Sequence, residues 1–251
     1  MSGLETEAVD GTGTPIVFIH GWMGSLEIWD DVRGELELEN PLIFYSQRCH
    51  GESKCSSFSI KDLAEDLEEI TEDLEKPILV GHSMGGMTAL TYSTISENFS
   101  GLILFATSAR TPSPRYMSPV FTLHELRTLL HQKLAETNPK SRKRIEKPEI
   151  GKFNSLELLK AGIKPLIYGL KAMKNYDIRE KLEEEKALVV AGKNDNVIPR
   201  KQSKEVARLL KCEYREIDAT HVMIQEKPRE TAEIIEDFVK KNLNTGRALS
   251  D

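Results

Sequence analysis

One pentapeptide of this chain has residue types and a spacing that suit nucleophilic chemistry. Residues 81–85 have the sequence Gly-His-Ser-Met-Gly, which matches the pattern Gly-x-Ser-x-Gly. An apolar run at residues 77–80 precedes the pattern, and a segment typical of a helix follows it. A strand that turns directly into a helix at this pattern holds the serine on a sharp, strained turn with its hydroxyl above the sheet edge. The sequence therefore predicts that Ser83 is a nucleophile.

A nucleophilic serine needs a base to accept its proton and a carboxylate to orient that base. The chain offers six histidines as the base, which are His20, His50, His82, His124, His131 and His221. His221 lies in a loop between the last predicted strand and the closing helix, downstream of the acid candidate, and we predict that it is the base. We expect His82 to pack beside the strand and His20 to brace its own loop.

Two aspartates compete for the role of the acid. Asp195 comes directly after a buried apolar strand, in a loop beyond the strand end. Asp218 lies only three positions before His221, which is too close in the chain to reach that ring easily. The loop after the preceding strand, at residues 107–108, has Thr and Ser and no carboxylate. We therefore predict Asp195 as the residue that orients His221.

Alternating apolar strands and amphipathic helices must position these residues. The pattern predicts strands at residues 4–9, 14–21, 41–46, 77–80, 102–106, 187–192 and 213–217. It predicts helices at residues 25–37, 60–74, 84–90, 203–210 and 230–243. Continuous apolar strands separated by helices indicate an α/β protein with a mostly parallel, doubly wound sheet that is covered on both faces.

A long interruption divides the predicted α/β core into residues 1–110 and residues 176–251. The interruption, residues 111–175, has a helical pattern, which is clearest at Leu123, Leu126, Leu130 and Leu134. It leaves from the carboxyl end of a parallel strand, where ligand crevices form in open α/β sheets. We therefore predict a mobile helical cap that covers the site and contributes apolar side chains to a pocket.

Charge is unevenly distributed between the cap and the core. Residues 111–175 have 13 Lys and Arg against 5 Asp and Glu, a net charge of +8, whereas the whole chain has −6 and the remainder therefore −14. The densest basic run is residues 140–144, Lys-Ser-Arg-Lys-Arg. This run either forms a solvated loop that is attracted to the acidic core, or it creates a positive electrostatic field that attracts anionic substrates or an anionic lipid surface. No nucleic-acid motif accompanies it, and we expect no nucleic-acid partner.

The composition is that of a globular protein without a membrane anchor. The 251 residues are 39 % hydrophobic and 29 % charged, with no signal-peptide pattern and no apolar stretch of membrane-spanning length. The three cysteines, Cys49, Cys55 and Cys212, have no metal-ligand spacing, and their odd number predicts free thiols in a reducing cytoplasm. We expect a cytoplasmic protein with no cofactor, no metal and no stable membrane insertion. The sequence does not indicate the oligomeric state.

These motifs together resemble the α/β-hydrolase fold, in its lid-bearing branch of esterases and monoacylglycerol lipases. The matching positions are residues 20–22 (His-Gly-Trp), 48–53 (Arg-Cys-His-Gly-Glu-Ser), 81–86 (Gly-His-Ser-Met-Gly-Gly), Asp195 and His221. The order Ser, Asp, His is the order of that fold. The resemblance covers nearly the whole chain and implies a cap inserted after the sixth strand of the family's sheet. It also implies an oxyanion hole built from the backbone N–H groups of Trp22 and Met84, with Trp22, Met84 and Met223 contacting the substrate.

The resemblance implies hydrolysis of small-molecule carboxylic esters, monoacylglycerols among them, through an acyl-enzyme on Ser83. Dehalogenases and epoxide hydrolases of this fold need Asp at position 83, so the serine excludes them. Carbon–carbon bond hydrolases and perhydrolases use the same triad and remain alternatives. A non-catalytic protein that retains the fold and binds a small ligand is an alternative of another class.

Two departures from the family pattern concern the N-terminal half. Only one short strand, at residues 4–9, is predicted before the first long one, which indicates a truncated first hairpin. Residues 46–48 are Ser-Gln-Arg where an Asp is frequent in the family. We expect this second departure to change how the loop is braced and to leave the chemistry unaffected.

Overall fold

A seven-stranded sheet runs through the part of the chain that the structure, a computed structural model, describes: residues 3–112 and 163–246. The strands are β1 (Thr6–Val9), β2 (Ile16–Ile19), β3 (Leu42–Tyr45), β4 (Ile78–His82), β5 (Gly101–Phe105), β6 (Ala187–Gly192) and β7 (Glu213–Ile217). Their order across the sheet is β1-β3-β2-β4-β5-β6-β7. The edge strand β1 pairs antiparallel with β3, and every other pair of neighbours is parallel. The predicted α/β class and mostly parallel sheet are confirmed.

Helices alternate with these strands along the chain. They are a 3-10 turn (Leu26–Trp29), α1 (Asp30–Glu35), α2 (Ile60–Thr71), α3 (Met84–Ser93), α4 (Ile163–Met173), a second 3-10 turn (Arg179–Lys181), α5 (Arg200–Leu210), α6 (Met223–Glu226) and α7 (Pro228–Gly246). Within residues 3–112 and 163–246, none of the helices combines the length and the apolar character needed to cross a membrane.

Each central strand supplies side chains to two separate hydrophobic cores. In β2, Val17 and Ile19 belong to the core beneath α2, α3 and α5, whereas Ile16 and Phe18 belong to the core beneath α1 and α7. Successive side chains of a strand point to opposite faces, so both faces of the sheet are covered. This double burial is why the strands are continuous apolar runs rather than alternating ones.

The observed helices differ from the predicted limits: α2 ends at Thr71 rather than at residue 74, α3 ends at Ser93 rather than at residue 90, and α5 begins at Arg200 rather than at residue 203. The helix predicted over residues 25–37 is a 3-10 turn followed by the short α1, which ends where Leu36 adopts extended backbone angles. The final helix, α7, begins at Pro228, before its predicted start, because a proline fits the first turn, where no intrahelical donor is needed. A separate short helix, α6, precedes it.

Cys49 and Cys55 form a disulfide, so the prediction of free thiols is wrong for these two residues. The chain reverses between them: Cys49 has a φ of +68°, and its N–H donates to the carbonyl of Lys54 at 3.1 Å. This local turn brings the two thiols together, and counting cysteines does not reveal it. Cys212 is a free cysteine. The cytoplasmic location loses its cysteine argument and stays a prediction.

The predicted cap falls largely outside the described residues, including its four spaced leucines and the basic run at residues 140–144. Its two connections to the core are described, and they lie side by side. The N–H of Ile178 donates to Ala109 at 2.9 Å, and the N–H of Thr111 donates to Tyr176 at 2.6 Å. An antiparallel bridge joins residues 110 and 177 between them. The chain therefore leaves and re-enters the core at one paired stem.

Candidate active site

Ser83 occupies the turn between β4 and α3, with φ +55° and ψ −116°. A non-glycine residue adopts a positive φ at an energetic cost, and such a conformation persists only where the surroundings hold it. Three hydrogen bonds hold the backbone of Ser83: its N–H donates to the carbonyl of Phe105 at 2.9 Å, and its carbonyl accepts from the Thr107 hydroxyl at 2.8 Å and from the N–H of Met87 at 3.1 Å. The neighbouring strand β5 and the loop after it therefore fix the turn.

The glycines of the pentapeptide are required by close backbone approaches. A Cβ on Gly85 would lie 2.2 Å from the carbonyl oxygen of Ile19 in β2. A Cβ on Gly81 would lie 2.7 Å from the carbonyl oxygen of Gly85. Neither contact is sterically possible without moving backbone, so the spacing Gly-x-Ser-x-Gly follows from how tightly α3 packs across β2 and β4.

The structure brings Ser83, His221 and Asp195 together at the carboxyl edge of the sheet. The Oγ of Ser83 lies 2.9 Å from Nε2 of His221, and Nδ1 of His221 lies 2.9 Å from Oδ2 of Asp195. All three residues are buried. The other carboxylate oxygen of Asp195 accepts the N–H groups of Val197 and Ile198 at 2.7 and 2.9 Å. Because an ionised carboxylate only accepts, these partners assign the proton of His221 to Nδ1 and direct the Nε2 lone pair at the Ser83 hydroxyl.

The competing aspartate and histidines have other partners. Asp218 is exposed and accepts from Nδ2 of Asn194 at 3.1 Å. His20 donates from Nδ1 to the carbonyl of Gly21 and accepts from the N–H of Gln47. His50 accepts the N–H of Met23 at 3.3 Å. His124 and His131 lie outside the described residues.

His82 is the last residue of β4, is buried, and contacts the loop of the predicted base. Its Nε2 lies 2.9 Å from the backbone carbonyl of His221. Burial, and secondly the nearby His221 ring, lower the pKa of His82 to about 3. The ring is therefore neutral, and because a carbonyl only accepts, the proton of His82 is on Nε2.

Of the two backbone donors predicted for an oxyanion hole, Met84 directly follows Ser83 in the chain and Trp22 belongs to the loop that packs against Ser83. Met84 is the first residue of α3, where N–H groups have no partner within the helix and the helix dipole favours negative charge. Trp22 lies in the turn after β2, and this loop packs against Ser83, since a Cβ on Gly21 would lie 3.2 Å from the Ser83 Cβ. The indole Nε1 of Trp22 donates to the carbonyl of Pro165 in α4 at 2.9 Å.

Residues of the loop after β3, where the sequence departs from the family pattern, brace the loop after β2 and bind Glu5. The Gln47 amide donates to the carbonyl of His20 at 2.7 Å and accepts from the Thr88 hydroxyl at 2.8 Å. The Ser46 hydroxyl, in the same stretch, donates to the carboxylate of Glu5 at 2.6 Å. Glu5 thus supplies a carboxylate to the loop from the segment before β1. Only the pairing of β1 with β3 brings it there, so no local spacing could have revealed it.

A cavity of about 20 Å³ lies beside Ser83. Its walls are Gly21, Trp22, Gly24, Ile28, His82, Ser83, His221, Val222, Ile224 and Gln225. Of the predicted substrate contacts, Trp22 lines this cavity. Met84 and Met223 are fully buried in the two hydrophobic cores. Any wall from residues 113–162 lies outside the described part of the chain.

Comparison with protein families gives a match to the Alpha/beta hydrolase family over residues 16–234. The chain belongs to the alpha/beta hydrolase family. This α/β hydrolase is 27 % identical over 237 residues to the pimeloyl-(acyl-carrier protein) methyl ester esterase of Vibrio atlanticus, covering 80 % of this chain and 84 % of that protein. It is 36 % identical to ethanol acetyltransferase 2 of Hanseniaspora uvarum over 81 residues, which are 30 % of this chain and only 23 % of that protein.

A solved structure of a thermophilic esterase from Thermogutta terrifontis is similar to this α/β hydrolase over almost its whole length. The TM-score is 0.75 at 26 % identity, covering 95 % of this chain and 93 % of the esterase. The family match and the similarity to these two esterases agree on the α/β-hydrolase fold.

Proposed function

We propose that this protein hydrolyses carboxylic esters through an acyl-enzyme on Ser83, with His221 as the general base and Asp195 as its orienting carboxylate. The proposal rests on one arrangement: a serine hydroxyl and a carboxylate, each 2.9 Å from opposite nitrogens of one imidazole. A serine on a strained turn, a base within hydrogen-bond reach and a third group that orients the base are the elements of nucleophilic acyl transfer.

The proposed reaction begins when Ser83 Oγ attacks the ester carbonyl and its proton passes to Nε2 of His221. Asp195 stabilises the resulting imidazolium through Nδ1. The backbone N–H groups of Met84 and Trp22 would donate to the carbonyl oxygen that becomes negative. Donors that are already fixed at this position stabilise the transition state most. The imidazolium then protonates the leaving alcohol, and water releases the acid from Ser83 by the same proton route in reverse.

We also propose which carboxylic esters the protein hydrolyses. Trp22 contacts α4, which is the described end of the predicted cap, and the apolar side chains of Ile28, Val222 and Ile224 lie close to Ser83. We propose that the substrates are uncharged esters of short to medium chain length, because these apolar side chains would contact an acyl group bound at Ser83. Monoacylglycerols are the lipid members of this substrate class.

The nucleophile is tested by replacing Ser83. Ser83→Ala should lower kcat by at least about 10³-fold on a series of p-nitrophenyl esters of increasing chain length, because the covalent route is lost. Ser93→Ala, at the other end of the same helix, is the matched control and should keep full activity. A fluorophosphonate should label the wild type at Ser83. Retention of a tenth of wild-type turnover by Ser83→Ala would refute the proposal, and an unlabelled, inactive wild type would favour a ligand-binding protein.

The acid assignment is tested by a matched pair of aspartates. Asp195→Asn should lower kcat by roughly 10³- to 10⁴-fold, since the amide no longer holds the imidazole in the productive tautomer. Asp218→Asn should leave kcat within about twofold, because its carboxylate is exposed and binds Asn194. The reverse result would make Asp218 the acid.

A further inference from the structure

One buried polar atom beside Ser83 has no hydrogen-bond partner within the described residues, and it is Nδ1 of His82. Because Nε2 of this ring carries the proton and donates to the carbonyl of His221, Nδ1 has a free lone pair. The His82 residue is only 5 % exposed. A buried acceptor without a hydrogen-bond partner raises the free energy of the folded protein. A bound molecule that donates to Nδ1 would remove this cost.

His82, Ser83 and His221 are all walls of one cavity. A Cβ built on Gly21 would lie 2.9 Å from Nδ1, and Gly21 and His82 are both walls of the cavity. Its volume of about 20 Å³ is sufficient for one water molecule, which needs roughly 10–15 Å³. Ile28, Val222 and Ile224 offer no polar side-chain group. Besides Trp22, whose Nε1 donates to Pro165, the walls with polar side chains are His82, Ser83, His221 and Gln225.

We propose that this cavity binds the water that hydrolyses the acyl-enzyme, and that His82 Nδ1 holds it by accepting one of its two hydrogens. The inference rests on the proposed acyl-enzyme at Ser83. The water donates its other hydrogen to Nε2 of His221. Its oxygen attacks the acyl carbon, and the proton passes to His221. The proton then returns to Ser83 Oγ as the ester bond breaks, which leaves a free carboxylic acid and the original serine.

This geometry distinguishes water from an alcohol as the acyl acceptor. Water has two hydrogens and can bind both histidines at once. Methanol has one O–H, which must go to His221 for its oxygen to attack, so His82 gives it no assistance. Removing the acceptor at position 82 should therefore slow hydrolysis and spare methanolysis.

The test measures the ratio of free acid to methyl ester when the enzyme turns over p-nitrophenyl acetate in aqueous methanol. His82→Gln puts an amide nitrogen near the original Nε2, so it keeps the donor to His221 and removes the Nδ1 acceptor. His82→Asn puts its side-chain oxygen near the original Nδ1, so it keeps the acceptor and loses the donor. We expect the ratio of free acid to methyl ester to fall roughly tenfold in His82→Gln, which is the effect of losing one hydrogen bond. In His82→Asn we expect the wild-type ratio.

The ratio is insensitive to a merely structural role of His82. Poorer folding, slower acylation or a displaced His221 lowers both products together and leaves their ratio unchanged. An unchanged ratio in His82→Gln, or an equal fall in both variants, would overturn the inference. Failure of the underlying function has a different signature, because intact-mass analysis of wild-type enzyme mixed with the ester would then show no acetylated Ser83.

Discussion

The side chain of Thr107 ties the strained serine to the loop after β5. Its hydroxyl donates to the Ser83 carbonyl at 2.8 Å, and its own carbonyl accepts from the hydroxyl of Ser203 in α5 at 2.9 Å. The sequence offered Thr107 only as a position without a carboxylate, so its role comes from packing rather than from a motif. The positive φ of Ser83 depends on such contacts, because nothing within the turn itself favours it.

We expect Thr107→Val, which keeps the shape and removes the hydroxyl, to lower the free energy of unfolding by about 1 kcal/mol. The loss is moderate since the N–H of Met87 also donates to the Ser83 carbonyl. kcat/KM should fall roughly tenfold, because a small displacement of the nucleophile is costly. Urea unfolding and ester hydrolysis measure the two effects. Thr94→Val, at the half-buried end of α3, is the control, and equal effects of both variants would contradict this role.

At the scale of elements, the sequence predicts what local patterns encode. Apolar runs located the strands, and the order of Ser83, Asp195 and His221 along the chain indicated which strand ends carry them. The disulfide, the carboxylate from Glu5 and the bracing amide of Gln47 were not predictable in this way. Each depends on a turn or a strand pairing that brings distant residues together, and neither propensity nor periodicity records such contacts.

The loop closed by Cys49 and Cys55 includes His50, whose ring accepts the N–H of Met23 beside the predicted oxyanion donor. Because Cys49 and Cys55 are bonded to each other, a thiol titration of the native protein should find one free thiol, from Cys212, and three thiols after reduction. Reduction should lower the free energy of unfolding by about 2 kcal/mol, as expected for a short closed loop. Cys212→Ala should show the same loss on reduction, whereas Cys49→Ala with Cys55→Ala should show none. Three thiols in the native protein would contradict the disulfide.

At the scale of the whole molecule, the sheet brings together side chains that are far apart in sequence, and it buries histidines in doing so. Ser83 and His221 are separated by 138 positions and meet only because β4 and β7 end at the same edge. His20, His50 and His82 lie around this edge, each with almost no exposed surface. Burial is the largest cause that lowers their pKa values, to about 4 for His50 and about 3 for His82, and well below the ordinary value for His20.

These buried neutral rings make the folded protein sensitive to acid. The unfolded chain protonates each histidine near pH 6.5, whereas the folded chain protonates His50 only near pH 4. Between those values the unfolded state binds more protons, so the free energy of unfolding falls as the pH falls. Each histidine contributes a slope of up to about 1.4 kcal/mol per pH unit in this window and none above it.

We expect urea unfolding to show a steep loss of stability from pH 6.5 to pH 5, and His50→Gln to reduce that slope by up to about 1.4 kcal/mol per pH unit. Glutamine retains an oxygen that can accept from Met23 and removes the titrating group. The variant should be less stable than the wild type at pH 8, where its altered packing is the only difference. Above pH 7.5 the two curves should run parallel, which is the internal control. Parallel curves down to pH 5 would show that His50 takes up its proton in the folded state, contrary to its burial.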